Sequence, residues 1–307
     1  GGRQRGLRKQ CAAAQRWLES AGPEPFFLFV HTYDVHCPYD PPARYLRRFG
    51  HRCTGRLEFQ GTCGKPYSNG LELTPADREH LAVHYDAGVR HADDVLGEFL
   101  DWLESTGRLA DTAVVIPSDH GESLGERSFV GHGGLHDNQL HVPLVVWVPD
   151  QAPAVVDDPV SGVDVAATVL DLLLGRAPAG LDGRSLRGTM AGTAREEPRL
   201  RVASVTVNEG RESVSRLRKT AVLEPAGPKL IFDPESATGE LYDLAQDPQE
   251  ARDRFGDPHP RQAALLDEIK RVEPGPLRGV HDGEPGAGYD DLDPDTLEAL
   301  RALGYVE

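Results

Sequence analysis

The feature that most constrains this chain is a helix that marks its own start and stands among short apolar runs. Thr74-Pro75-Ala76-Asp77 places a capping hydroxyl ahead of a proline at the first helical position, with a carboxylate near the positive end of the helix dipole. From there Leu81, Tyr85, Val89, Ala92, Leu96, Leu100 and Leu103 recur at three- and four-residue steps as far as Gly107, the stripe of a long amphipathic helix. Upstream, Pro25 leads into Phe26-Phe27-Leu28-Phe29-Val30. Downstream stand Ala113-Val114-Val115-Ile116 and the run from Val142 to Val148. Each run is short and continuous, the pattern of a strand buried on both faces. Strand, helix and strand of these lengths predict a parallel crossover, and so an α/β class.

A further helix is expected from Val163 to Leu174, stopped by Gly175. Beyond about residue 195 the texture changes. Arg201 to Val207 and Ser213 to Leu223 alternate apolar and polar residues, and Lys229 to Phe232 and Glu240 to Leu244 are short strand candidates with Asp-Pro turns nearby. That pattern predicts a smaller, half-exposed antiparallel sheet. The chain therefore divides into an α/β body, 1–195, and a small C-terminal subdomain, 196–307. The glycine-dotted stretch up to Gly70 reads as loop. Pro274 to Asp293, rich in Gly, Pro and Asp, is expected to wrap the surface before a last helix from Pro294 to Leu303, capped by Asp293.

Composition excludes several classes. With 39% hydrophobic residues in 307, the chain has enough apolar material for a folded core. Its longest apolar stretches fall far short of the roughly 20 residues of a membrane span. A net charge of -16, from 49 acidic against 33 basic side chains, leaves no Lys/Arg field suited to a nucleic-acid backbone. The Gly-Gly-Arg start and the lone Met190 lead to the expectation of a fragment or processed chain, with no apolar signal core after the basic start. By position, Cys11 and Cys37 are expected to be unpaired. Cys53 and Cys63 bracket a short polar loop that a disulfide could close, which would suggest an oxidising compartment. The absence of Cys-x-x-Cys argues against a thiolate zinc site.

Chemistry gathers where two of the apolar runs end. The first delivers His31, Asp34 and His36; the second delivers Ser118-Asp119-His120-Gly121-Glu122, followed by Gly131-His132-Gly133-Gly134-Leu135-His136-Asp137. Ligands collect at the carboxyl ends of parallel strands, so parallel runs would bring these loops to one rim. Asp119 and His120 offer a hard oxygen and an imidazole nitrogen to one cation, with Gly121 letting the backbone turn away. Three such residues also recur by chance, and a histidine at a strand end is often a hydrogen-bonded turn residue.

Order and spacing carry a resemblance that no single motif does. Phe26 to Pro42, containing His31-Thr-Tyr-Asp-Val-His36-Cys-Pro-Tyr, then Tyr85 to Gly97, Ser118 to Glu126, Gly131-His-Gly133 and Leu140 to Leu144 resemble the bacterial sulfatases of the alkaline-phosphatase superfamily. Val163 to Thr168, Leu181 to Leu186, Glu240 to Leu244 with Asp247-Pro248, and Leu303 to Val306 are similar to later landmarks of that family, in the same order. The resemblance implies an alkaline-phosphatase-like mixed or parallel sheet flanked by helices, with a smaller antiparallel C-terminal subdomain. It implies that Asp119 and His120 ligate a divalent cation, calcium first, with magnesium, manganese or zinc as alternatives. It implies that His36 contacts the sulfate and protonates the leaving alcohol, and that His132 also binds the sulfate, with His31 lining the same pocket or serving structure. Imidazole suits proton transfer because its pKa lies near neutrality. The implied substrate is a small-molecule or glycan sulfate ester, and the implied compartment is periplasmic or secreted.

Two departures accompany the resemblance. The stretch after His132 is about one residue short, and His136 stands where a tyrosine is common. No Cys/Ser-x-Pro-x-Arg, the source of the formylglycine nucleophile, occurs, and nothing in residues 1–25 resembles the family's first pair of metal-binding aspartates. The expectation is a C-terminal portion of a sulfatase, inactive alone and holding metal poorly, since calcium takes about six to eight oxygens. The alternatives are a phosphoric or phosphonic ester hydrolase of the same superfamily, with a Thr or Ser nucleophile and transition metals, and a non-catalytic remnant. Specificity is expected in the loop from Arg44 to Gly70, where Arg44, Arg47, Arg48, Arg52 and Arg56 fall, and in the segment from Pro274.

Overall fold

The structure, a computed structural model, describes residues 6–22, 24–49, 73–193, 198–208, 216–225, 227–234 and 236–272. The expected Cys53–Cys63 bridge, the segment 274–293, the helix 294–303 and the closing landmark 303–306 lie outside them. The chain forms two compact units, Gly1–His259 and Pro260–Glu307.

In the first unit α1 (Leu7–Ser20) and α2 (Ala43–Arg48) precede α3 (Pro75–Ser105). The start of α3 follows from its first four residues. Thr74 Oγ1 accepts from the Asp77 backbone N–H at 3.2 Å while Asp77 Oδ2 accepts from the Thr74 N–H at 3.0 Å, so two orphan donors are satisfied reciprocally. Leu7, Cys11, Ala14 and Leu18 of α1 bury against Val95, Phe99 and Leu103 of α3. The run 26–30 lies along this cluster. Phe26, Leu28 and Val30 pack onto it while Phe27 and Phe29 are 69% and 74% exposed, so burial follows a period of two rather than covering both faces. It takes no part in a sheet among the described residues.

The second and third apolar runs form β1 (Val114–Pro117) and β4 (Leu144–Trp147), with β2 (Ser123–Leu124), β3 (Val130–Gly131) and α4 (Asp137–Leu140) between them. They pair antiparallel, with Val114 opposite Trp147 and Pro117 opposite Leu144; the parallel crossover expected across α3, from the run 26–30 to β1, has no strand at its first end among the described residues. The long helix precedes β1, and the chain between β1 and β4 holds only the short β2–β3 hairpin, with a 3-10 turn at Glu126–Ser128, and the single turn of α4. It returns at the same end of the strands, as an antiparallel pair allows.

Next come α5 (Asp164–Leu174), ended by Gly175 in the left-handed conformation as its position predicted, and α6 (Arg187–Met190). Fully buried Asp164 ties this region together. Its carboxylate accepts from the Ser161 and Arg184 N–H groups, each at 2.8 Å, and pairs with Arg199. Thr168 Oγ1 accepts from the Leu186 N–H at 3.0 Å, and a Cβ at Gly183 would lie 1.9 Å from the Val163 carbonyl oxygen. Two of the sequence landmarks, 163–168 and 181–186, are therefore halves of one structural latch.

The predicted small sheet is a four-stranded antiparallel meander, β5 (Arg201–Asn208), β6 (Arg216–Leu223), β7 (Pro228–Asp233) and β8 (Thr238–Asp243), in that order. Ala221, Leu223, Ile231 and Tyr242 cluster with Leu135, and Leu140 packs alongside, so the sheet backs the segment that carries α4. Two polar joints reinforce the contact. Lys229, fully buried, bridges Asp137 Oδ1 at 2.7 Å and Glu250 Oε1 at 2.6 Å. His136 Nε2 and the Tyr242 hydroxyl both hydrogen-bond Glu240 Oε2, at 2.8 and 2.5 Å.

The second joint predicts an acid response. The hydrogen bond from His136, then that from Tyr242, holds the Glu240 carboxyl down to about 2 from its ordinary 4.5. A carboxyl depressed in the folded state contributes stability above its unfolded pKa, lost as pH falls from about 4.5 through 2. Because a third of this side chain is exposed, the expected loss is about 1 kcal/mol. Urea midpoints at pH 6 and pH 3 should differ less in Glu240→Gln than in the unsubstituted protein; equal differences would remove Glu240 from the acid response.

In the second unit, α7 (Gln262–Val272), which sequence reading missed, buries Leu265 and Ile269, four residues apart on one face.

Candidate active site

Three loops bring the candidate residues together. The segment after β1 is clamped to α4 by backbone: Gly121 N–H donates to the Gln139 carbonyl at 2.8 Å and Glu122 N–H to that of Asn138 at 3.1 Å. A Cβ at Gly121 would stand 2.2 Å from the Asn138 oxygen. Glycine is needed here for close approach of two backbones, rather than for the turn expected from sequence.

The loop after β3 passes through Gly131 and Gly133, both at positive φ, with His132 between them. Buried Gln139 holds it, its Oε1 accepting from the Gly133 and Gly134 N–H groups at 2.8 and 2.6 Å. Nothing in the sequence singled out Gln139. The third loop carries His36. Its neighbour Asp34, expected among functional groups, caps α1 instead: Oδ2 accepts from the Leu7 N–H at 2.6 Å and from the Thr32 hydroxyl at 3.0 Å. Cys37 is buried and disulfide-bonded, which corrects its reading as unpaired; the other cysteine lies outside the described residues. Spacing rules compare neighbours in sequence and miss a cross-link set by the fold. Cys11 is buried and free, its thiol pushed up by burial.

His36, His120 and His132 form one cluster, with one ring nitrogen from each lying within 4.8 Å of the others. The His120 and His132 rings stack at 4.0 Å between centroids, and His36 meets His132 edge-on at 4.8 Å. Each ring is pinned at Nδ1. His36 Nδ1 lies 2.7 Å from the Cys37 carbonyl oxygen, His120 Nδ1 lies 2.8 Å from that of Gly121, and His132 Nδ1 lies 3.2 Å from Glu122 Oε1. Carbonyl and carboxylate oxygens only accept, so Nδ1 carries a proton in all three, which leaves Nε2 of each ring as the nitrogen that gives or takes a proton or offers a lone pair.

Glu122 is the residue that sequence reading passed over. Its side chain is 4% exposed, and the hydrogen bond it accepts raises the pKa of His132. The Tyr39 hydroxyl is held neutral by burial and by the Glu122 charge, and the same two causes raise Tyr85. Its only signal was position, two residues past His120.

The remaining candidates stand at the margin. Asp119 is 73% exposed, with Oδ1 accepting from the His120 N–H at 3.0 Å and lying 3.8 Å from His120 Nε2. With His120 it offers one hard oxygen and one imidazole nitrogen, a set that fits the edge of a divalent-cation site but supplies only two of the roughly six to eight donors of calcium. His31 is exposed and contacts Tyr33 at 4.9 Å between centroids, and Tyr33 in turn meets His36 at 5.3 Å. His136 points away, to Glu240.

With this geometry in place, comparison with known proteins is direct. A family model described as Sulfatase matches residues 11–175, and one described as N-sulphoglucosamine sulphohydrolase, C-terminal, matches 125–273. The chain is 32% identical to the choline-sulfatase of Rhizobium meliloti (strain 1021) over 187 residues, 60% of this chain and 36% of that protein. Among solved structures it resembles the phosphonate monoester hydrolase from Silicibacter pomeroyi at 26% identity and a TM-score of 0.56, over 66% of this chain and 42% of that one. It also shares the fold of a 2-O GAG sulfatase at 20% identity and a TM-score of 0.56, over 87% of this chain and 55% of that one. The chain spans between a third and two fifths of the length of the curated relatives it matches first.

Proposed function

This chain belongs to the sulfatase family, and from that premise we propose that it carries the histidine side of a divalent-cation centre hydrolysing sulfate esters. The observation that carries the reading is the meeting of His36, His120 and His132 from three separate loops, with Asp119 beside them. Asp119 and His120 hold the cation, calcium first by family resemblance. A bound cation would polarise the sulfate oxygens as a Lewis acid.

The chain's own residues do the proton work. His36 keeps its Nδ1 proton on the Cys37 carbonyl, so the proton it gives to the leaving alcohol oxygen comes from Nε2 and returns there. His132, its protonated form favoured by Glu122, presents a positive ring to the sulfate. His31, behind Tyr33, serves the pocket wall. Since no Cys/Ser-x-Pro-x-Arg occurs among the 307 residues, the nucleophile is supplied from outside them.

The substrate in this reading is a small-molecule or glycan sulfate ester, rather than nucleic acid. Among the described residues no helix is long and apolar enough to cross a membrane. The disulfide at Cys37 supports a periplasmic or secreted setting. The division into a body, 1–195, and a C-terminal subdomain, 196–307, belongs to the same reading.

The test is His36→Ala in a sulfatase that contains this chain. On alkyl sulfates, whose leaving alcohols need a proton, kcat/KM should fall about 10²- to 10⁴-fold, and on an activated aryl sulfate far less. Equal losses on both would reduce His36 to binding. A second reading, phosphonate ester hydrolysis, is favoured by the Silicibacter pomeroyi relative and by the suitability of imidazole for transition metals. A higher kcat/KM on a phosphonate monoester than on the matching sulfate would replace the first reading with it.

A further inference from the structure

We propose that His36, His120 and His132 together form a three-imidazole site for a zinc-class dication, which shares His120 with the hard-cation site but adds two imidazoles to it, and that filling it shuts the centre. The metal site stands on the imidazole geometry alone; only its inhibitory consequence rests on the sulfatase reading.

Three observations carry it. First, the ring nitrogens already lie within 4.8 Å of one another. A tetrahedral zinc ion with Zn–N of about 2.0–2.1 Å sets neighbouring nitrogens about 3.3 Å apart, so closing the cluster takes about 1.5 Å of movement by half-buried side chains on loops. Second, every ring has its Nδ1–H tied to an oxygen: the Cys37 carbonyl, the Gly121 carbonyl and the Glu122 carboxylate. Metal-binding histidines are oriented in this way, with the second ring N–H anchored and the lone pair turned to the ion, and a buried carboxylate such as Glu122 raises ligand basicity. Third, the charges acting on His132 are both negative, Glu122 and Asp119. At His132 that field favours a bound cation. Asp119, whose Oδ1 is 3.8 Å from His120 Nε2, stands within reach as a fourth donor.

Ligand chemistry chooses the metal. Three neutral imidazoles suit a borderline ion such as zinc or cobalt, whereas calcium takes oxygens. The same nitrogens are those the sulfate reading assigns to proton transfer and anion binding, so a zinc ion on them excludes the substrate.

The experiment uses the 307-residue chain itself. Cobalt(II) added to the chain should give a saturable visible absorption of tetrahedral intensity at one ion per chain, bleached by one equivalent of zinc and unaffected by millimolar calcium. Calorimetric zinc affinity should fall at least tenfold in each of His36→Ala, His120→Ala and His132→Ala, and about 10- to 100-fold in Glu122→Gln, where the ring stays but its anchor weakens. His141→Ala should leave the zinc affinity unchanged. Absence of the cobalt band from the unsubstituted chain would overturn the proposal without recourse to any variant, as would zinc uptake that survives the three alanine substitutions. A failure here leaves the leaving-group test of His36 intact, and a failure there leaves this site intact.

Discussion

His120→Ala, made in a sulfatase containing this chain, is expected to lower kcat for sulfate ester hydrolysis about 10³-fold while leaving the fold unchanged. A metal contributes several kcal/mol of transition-state charge stabilisation, and a loss of about 4 kcal/mol is about three powers of ten. The ring also belongs to the cluster itself, stacked 4.0 Å from His132, so its removal disturbs the neighbour to which the proposed function assigns sulfate binding. Stability should change by only about 0.5 kcal/mol, because the side chain is a third exposed and its Nδ1 bond closes on the adjacent residue. The check is kcat, metal content and melting temperature measured on one preparation. Unchanged turnover with unchanged metal content would remove His120 from the centre.

Lys229→Ala is expected to act in the opposite way, costing stability rather than chemistry directly. Its ammonium is wholly buried between Asp137 and Glu250, and Glu250 is itself 2% exposed. Removing the cation strands buried negative charge, a change that typically costs about 3–5 kcal/mol. Arg127 lies 3.5 Å from Glu250 Oε2 but also donates to the Glu250 carbonyl at 2.8 Å, so it offsets only part of the loss. A melting temperature lower by about 10 °C is expected. Combining Lys229→Met with Glu250→Gln should recover much of it, since the unpaired charge goes with the cation. If the single substitution left the melting temperature unchanged, the joint would be ornamental.

The long helix was legible because its cap is local: Thr74, Pro75 and Asp77 satisfy one another within four residues. Its buried face was less so. Periodicity placed Val89 inside, yet Val89 is exposed while Ala87 and Gly88 are buried, where α3 runs against the backbone of the His36 loop. A Cβ at Gly88 would already stand 3.6 Å from the Asp34 carbonyl. Apolar periodicity scores large side chains and overlooks a contact made by their absence. The helices α1 and α2 were missed for a related reason: Cys11 and Ala14 in α1 are weak hydrophobic signals, and α2 lies in a stretch that read as loop.

The histidines of the cluster were all named from sequence, because two sit beside glycines after apolar runs and one heads a proline-bound loop. What sequence did not show is what holds them. Glu122 stands in a loop and Gln139 in the single turn of α4, neither with a period or motif of its own, and their roles exist only once β2 pairs with β3 and α4 lies beside the loop after β3. The reverse holds at Asp164: its motif stood out in sequence, but its role is to join backbone segments rather than to react.

The three anchors of the cluster differ in kind, and that difference decides how the site can diversify. His36 and His120 lean on the carbonyl of the very next residue, so their aim is inherited from backbone and survives almost any change of neighbouring side chains. His132 leans on a side chain from another loop. Its orientation can therefore be lost, or retuned, by a single codon at position 122. Two thirds of the constellation are hard-wired and one third is adjustable, which makes Glu122 the natural place to look for divergence between relatives that share the same three rings.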